Sequence, residues 1–284
     1  MKFLSFGEIL WDVYERSAVI GGAPFNFAGH LAQHGEQISL LSAVGDDELG
    51  RGAITEAEKI GVNVDYIGVS EQQTGKCLVT LDGGGVPKYN LLDNVAYDYI
   101  GGEVENEFDV LYFGTLALRH KQNREYLSRL IENNSFREIF CDVNIRPPYF
   151  SEQSVKFCFD NATIIKISDE ELPIVSDILF GRELDYKAAA QEIAKKYKNI
   201  KIIIITRGGE GAYLLDTVKG FELEEASIRC EVVSTVGAGD SFSAAFMSKL
   251  MGGKTVEECL KHAVKISGFV VTQLEAIPQY PDNF

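Results

Sequence analysis

"GGAPFNFAGHLAQHGEQISLLSAVGDDELG", residues 21–50, passes from helix to strand and into a second helix. Pro24, followed by Asn26, Ala28 and Leu31 and closed by Gly35, has the spacing of a helix with proline in its first turn and glycine just past its end. "QISLLSAVG" (37–45) is β-prone throughout and stops at glycine. "DDELGRGAITEAEKIG" (46–61) opens with acids, where a helix dipole favours them, and ends at Gly61. Outward from this stretch, further short β-rich runs end in glycine or polar residues and lead into helical periods: "KFLSFGEI", "DVLYFG", "EIFCDVN", "ATIIKIS" and "KIIIITRGG". Such alternation predicts an α/β fold, a mostly parallel sheet with helices on both faces. Ligands of such sheets bind beyond the carboxyl ends of the strands, so the residues just after these runs are the functional candidates.

Length and charge narrow the function. With 284 residues and 45% hydrophobic content, the chain is long enough for one large domain or two small ones and can hold an enclosed site; no repeat or linker marks a second unit, so one domain, 1–284, is expected. A formal net charge of −15 without any Lys/Arg block argues against nucleic acid or an anionic membrane as partner, so an anionic ligand must be held locally. The five cysteines are odd in number and scattered, and read as reduced thiols rather than a disulfide framework or a zinc ribbon. "MKFLSFGEILWD" lacks the pattern of a secretory leader, and no apolar run is long enough to span a membrane, so the cytoplasm is the expected compartment.

One stretch breaks the rhythm. "KCLVTLDGGGVPKYNLL" (76–92) sets a Gly-Gly-Gly turn between two β-prone runs and predicts a hairpin. Together with "DVYERSAVI" (12–20) it reads either as a small β lid, with segments at about 12–20 and 74–95, or as an ordinary surface hairpin. A lid suits phosphoryl transfer because it excludes water as a competing acceptor. "SKLMGGKT" (248–255) nearly spells a P-loop, but Ser248 stands at the first glycine position and the segment follows a helical run; Gly252 and Gly253 read as a helix stop. His30 and His34 share a helix face, yet Gly29 stands where a metalloprotease would have its glutamate, which argues against a metal pair. No G-x-G-x-x-G follows the first strand, which argues against a dinucleotide.

"STVGAGDSFSAAF" (234–246) is a stronger candidate. Gly237 and Gly239 let the backbone turn N–H groups toward a ligand, and the helix starting near Asp240 adds about half a positive charge. Asp240 itself reads equally as a helix cap or as a functional carboxylate. "TRGGEGAYLL" (206–215) is a glycine-rich turn after a buried strand, suited to close approach by a nucleotide.

Taken together, these segments resemble the ribokinase (PfkB-type) family of carbohydrate kinases over essentially the whole chain. Residues 21–50 look like its first signature and "TVGAGDSF" like its second, while "GEILWD", "GGAPFN" and "DVNIRPPYF" look most like the fructokinase branch. The resemblance implies a ribokinase-like fold with a small β lid, and transfer of phosphate from ATP to a sugar hydroxyl. By position, it makes Asp240 the general base and assigns the transferring phosphoryl group to the Gly237, Ala238 and Gly239 amides. Asp12, Gly22 and Asn26 would bind the sugar, with Asn144 and Arg146 near the acceptor and phosphates. Lys166, Ser168, Thr206, Gly208 and Gly211 would line the nucleotide site, and Glu171 would reach magnesium through water. Ser168 replaces the asparagine common in the family's N-x-x-E motif.

Two departures bear on cation dependence. The family often has aspartate at the position of Ser234 and glycine at that of Glu275, both bordering the monovalent-cation site of potassium-activated relatives. Losing one acidic ligand would weaken potassium binding unless Glu275 supplies a replacement charge, so weak or absent potassium activation is the expectation. Fructose phosphorylated at its 6-hydroxyl is the leading acceptor, with 2-keto-3-deoxygluconate, ribose or a nucleoside as alternatives; Arg119 or Arg146 would have to meet the carboxylate of a sugar acid. A catalytically silent sugar or nucleotide sensor is the competing class, and the intact base argues against it. Lid strands often pair between subunits in this family, which makes a homodimer an expectation.

Overall fold

The six apolar runs become strands because the chain can bury them on both sides: Ile203, Ile204 and Ile205 are fully buried, as are Leu4, Phe6, Leu40, Leu111 and Phe113 to within 1%. A computed structural model describes residues 1–81, 87–105 and 107–281. Its elements are, in chain order, β1 (Lys2–Phe6), β2 (Leu10–Val13), β3 (Ala18–Gly21), α1 (Ala23–Gln33), β4 (Gln37–Gly45), α2 (Glu48–Lys59), β5 (Ile67–Ser70), β6 (Gly75–Leu81), β7 (Pro87–Leu91), β8 (Val110–Phe113), α3 (Lys121–Asn133) and β9 (Glu138–Asp142). The second half continues with α4 (Glu152–Asn161), β10 (Ile164–Ser168), α5 (Leu172–Phe180), α6 (Tyr186–Lys196), β11 (Ile202–Thr206), β12 (Ala212–Asp216), β13 (Phe221–Glu225), α7 (Ala238–Met251) and α8 (Val256–Val270).

Nine strands form the large sheet in the order β13-β12-β11-β10-β9-β8-β1-β4-β5. From β11 to β5 every pairing is parallel; β12 and β13 extend the far edge antiparallel. Strand order reverses at β1, which has β4 on one side and β8 on the other. That makes the carboxyl end of β1 a switch point, where such sheets open a crevice.

Successive side chains of each strand feed opposite cores. Leu4, Leu111, Cys141, Ile165 and Ile203 pack with Leu127, Val155, Val175 and Ile193 of α3 to α6. Phe3, Tyr112, Phe140, Ile164 and Ile204 pack with Phe27 of α1, Ala53 of α2, Phe246 of α7 and Leu260 of α8. The Phe27 and Tyr112 rings stack with centroids 3.8 Å apart, which seats α1 on the sheet beside α7.

A second sheet, β3-β2-β6-β7, contains both segments expected to form a lid. β6 and β7 pair antiparallel as the hairpin reading required; the Gly-Gly-Gly turn expected between them lies outside the described residues. Asp47 ties this sheet to the body. Its carboxylate caps α2 through the Gly50 N–H at 2.8 Å and also accepts from the Thr74 N–H at 2.9 Å and the Thr74 hydroxyl at 2.6 Å, directly before β6. Trp11 of β2 adds an indole N–H bond to the Leu49 carbonyl at 2.9 Å. Among the described residues no helix is long and apolar enough to cross a membrane. Replacing Asp47 by Ala is expected to cost roughly 2 kcal/mol, the upper end for a lost cap, because the Thr74 contacts go with it. Urea unfolding measures this, and a variant as stable as the parent would remove Asp47 from the account.

Candidate active site

Several strands deliver ionisable groups to one end of the sheet. Asp142 closes β9, Lys166 lies within β10, and the two form a buried ion pair, Nζ to Oδ2 at 2.7 Å, with both residues at most 4% exposed. Burial alone would lower the lysine, but the carboxylates of Asp142, Glu171 and Asp240 hold its pKa above the ordinary lysine value. Glu171 turns back to accept the Ser168 N–H at 2.8 Å and the Ile145 N–H, and burial with Asp142 nearby raises its pKa.

The helix expected near Asp240 begins two residues earlier, at Ala238, with Gly237 as its cap residue at φ 80°. A side chain at 237 would meet the Ala276 carbonyl at 2.2 Å, so only glycine lets the 274–276 segment lie against this turn. Within the turn the Ala238 N–H donates to the Thr235 carbonyl at 3.3 Å, which competes with the phosphate-holding role expected of that amide. Behind it, a Cβ at Gly239 would lie 3.4 Å from Lys166 Nζ, so the ammonium backs the start of α7. Ser243 links the same pieces, donating from Oγ toward the Gly239 carbonyl at 2.9 Å and Asp142 at 3.2 Å.

Asp240 points toward α1. Asn26 Nδ2 donates to Asp240 Oδ2 at 2.8 Å across 214 residues of sequence, and Asn26 Oδ1 is buried without a partner. Burial, with Asp142 adding like charge, pushes the Asp240 carboxyl up to about 6; the Asn26 bond, Lys166 and Arg146 act the other way. Asn26 sits in the first turn of α1, next to Gly22 at φ 113°. Asp12 of β2 approaches from the small sheet, its Oδ2 3.3 Å from where Gly21 would carry a Cβ. Arg146 is exposed, forms no ion pair among the described residues, and exerts its charge on Glu8, Asp12 and Asp240. Asn144 lies in the same loop at φ 44°.

The other expected residues lie at neighbouring strand ends and in the turns that follow them. Ser168 and Thr206 end neighbouring strands in register, and Ser168 Oγ accepts the Glu171 N–H at 3.3 Å. Gly208 faces open space at φ 46°. Gly211 is demanded by the fold itself, since a Cβ there would lie 2.0 Å from the Glu225 carbonyl at the end of β13. Ser234 is half-buried, and its hydroxyl accepts the Val236 N–H at 3.2 Å. Glu275 is exposed, beside Ala276. Of the histidine pair, His30 is tied to Tyr280 and the Ala276 carbonyl, and burial pushes it down to about 3.

Two buried acids beside this site, Asp142 and Glu8, went unassigned in the sequence. Asp142 ends the run "EIFCD", and Glu8 follows Gly7 at the end of β1. An acid at the carboxyl end of an otherwise apolar strand is the signal that marks both.

A buried carboxylate at a glycine-capped helix start, bonded to an amide whose oxygen has no partner, has the chemistry to take a proton from an alcohol beside it. Residues 3–283 match the pfkB family of carbohydrate kinases, and the chain belongs to that family. It is 24% identical over 311 aligned positions to fructokinase-2 of Solanum habrochaites, covering 98% of this chain and 92% of the relative. An uncharacterised sugar kinase from Pyrococcus horikoshii, solved in complex with ATP, superposes with a TM-score of 0.82 at 26% identity, covering 97% of this chain and 94% of that one. Aminoimidazole riboside kinase from Salmonella enterica shares the fold with a TM-score of 0.83 at 22% identity, covering 99% and 97%.

The Lys166–Asp142 pair sets a stability prediction. Lys166→Met leaves the Asp142 carboxylate buried and unpaired, which is expected to cost roughly 3–5 kcal/mol in urea unfolding. Adding Asp142→Asn should recover part of the loss, and no recovery would show that the lysine stabilises by packing alone.

Proposed function

We propose that the protein transfers the γ-phosphoryl group of ATP to a primary hydroxyl of a neutral sugar, with fructose, phosphorylated at the 6-hydroxyl, as acceptor. The observation that carries this is the Asn26–Asp240 bond with Asn26 Oδ1 unpartnered: a sugar hydroxyl entering here meets a proton acceptor and an amide oxygen together. Asp240 takes the proton of the attacking hydroxyl, and Asn26 holds that carboxylate in place. The N–H groups at the start of α7, with Lys166 behind them, attract the phosphoryl oxygens, while Arg146 supplies a cation at the open side. Asp12 and the Gly21–Gly22 turn bind the sugar, and the small sheet closes over it to exclude water.

Magnesium fits the donor set, since Asp142, Glu171 and Asp240 place three carboxylates around one ammonium and leave the cleft with surplus negative charge. Bound with the nucleotide, held through water by Glu171, it would neutralise charge on the phosphate oxygens. The cell interior, where ATP is abundant, suits this activity.

The fructokinase relative supports a neutral ketose. Arg119 weighs against a sugar acid: its Nε and Nη2 both bond the buried Asp98 at 2.7 Å, and Nη2 also bonds the Leu92 carbonyl at 2.7 Å. Of these two arginines, Arg146 is the one without an ion pair among the described residues, while Arg119 keeps only Nη1 unpartnered. Tyr14, Val19 and Tyr89 expose apolar surface on the small sheet, which supports pairing of two chains there.

An ATP-consumption assay with fructose, ribose, a nucleoside and 2-keto-3-deoxygluconate is expected to give fructose the highest kcat/KM. Preference for the acid would overturn the acceptor, and no turnover with any would favour a sensor. Exchanging sodium for potassium at fixed ionic strength is expected to change the rate little, because Ser234 offers no carboxylate; a large increase would contradict this. Asp240→Asn should fold normally and lose about 10²–10⁴ in kcat. In the parent, kcat/KM should fall as pH drops through about 6, because only the ionised carboxylate accepts the proton.

A further inference from the structure

Helix α1 gives one side to the 276–280 segment. Asn26, Gly29, His30 and Gln33 are three and four residues apart and so share a face. Asn26 bonds Asp240, and the other three meet the segment. Gly29 leaves room for Ile277, since a Cβ there would lie 2.8 Å from its Cδ1. Gln33 Nε2 donates to the Pro278 carbonyl at 3.1 Å, while Gln33 Oε1 accepts the Tyr280 N–H at 2.9 Å. The segment thus runs as a strap along α1, whereas Leu274 and Glu275 just before it are exposed.

His30 is the centre of this strap. It is fully buried and uses both ring nitrogens: Nε2 lies 2.9 Å from the Ala276 carbonyl oxygen, and Nδ1 lies 2.6 Å from the Tyr280 hydroxyl. A carbonyl only accepts, so Nε2 carries the proton. Burial keeps the ring neutral, its pKa pushed down to about 3, so Nδ1 is bare and accepts from Tyr280. The Ala276 carbonyl is also the group against which Gly237 packs, where a Cβ would meet it at 2.2 Å. Helix α1 therefore holds the start of α7 at two points: directly, by Asn26 on Asp240, and through Ala276, by His30 on Gly237.

We propose that His30 is a positioning residue of the phosphoryl site: by holding the Ala276 carbonyl it seats the Gly237 turn, and so sets where the first N–H groups of α7 and the Asp240 carboxylate stand. This rests on the kinase reading for its catalytic consequence, but not for the contact itself. A leucine would fill the same space between α1 and the strap. The imidazole adds a donor aimed at the carbonyl on which the turn rests.

Kinetics and NMR test it separately. His30→Ala removes both bonds and should lower kcat on the order of tenfold, with the acceptor KM near the parent value, because the Asn26 contact is untouched. His30→Gln brings an amide N–H to the position of Nε2 and should restore most of that loss. Tyr280→Phe removes only the far bond, leaves the Ala276 carbonyl its donor, and should keep kcat near the parent value. A lowered Tm with kcat unmoved, or a Gln variant as slow as the Ala variant, would reduce His30 to a structural role. Should His30→Ala fail to fold, nitrogen NMR of labelled histidine still decides. In the parent, His30 should show a protonated Nε2 and a bare Nδ1, and in Gly237→Ala the Nε2–H signal should shift, because the new side chain presses on the Ala276 carbonyl. The opposite tautomer, or a signal unmoved in the folded variant, would overturn the proposal. These spectra need no turnover, so a parent inactive on every acceptor would refute the kinase reading while the contact is still tested.

Discussion

The cleft is organised by a charge imbalance that water cannot relieve. Asp142, Glu171 and Asp240 surround one buried ammonium, Lys166, and desolvation raises the cost of every unpaired carboxylate there. The protein answers with backbone and amide donors: Ser168 and Ile145 N–H groups on Glu171, Asn26 on Asp240, and Lys166 with Ser243 on Asp142. What those donors leave uncompensated is a surplus of negative charge around Lys166.

Two helix N-termini complete the arrangement. α1 and α7 pack side by side on one face of the sheet, so their positive ends open into the same crevice. The Asn26–Asp240 bond joins the first turns of the two helices. Positioning of this kind matters more for phosphoryl transfer than covalent chemistry does, because the transition state calls mainly for alignment and charge stabilisation.

Much of the fold was legible along the chain. Buried strands such as "KIIIIT" declare themselves by unbroken β-branched content, and α1 and α2 by proline, acids and closing glycines. The antiparallel edge formed by β12 and β13 was not: "FELEE" alternates half-buried with exposed positions and resembles surface polypeptide. β5, half exposed, is hidden for the same reason. Gly211 has a structural demand that the sequence did not reveal. Its turn follows a strand as expected, yet the close approach that forbids a side chain comes from the Glu225 carbonyl of the protein itself.

From the sequence alone came the α/β alternation, the glycine turns and the two signatures that mark Asp240 and the first turn of α1, because these depend on neighbours within a few residues. Tertiary structure alone decided which acids matter. Asp142 and Glu8 are ordinary residue types set apart by burial, beside Lys166 and against Gly22 at the start of α1. Burial, and the raised pKa values and hydrogen bonds that follow from it, depends on neighbours in space, and in a parallel sheet those neighbours come from strands far apart in the chain.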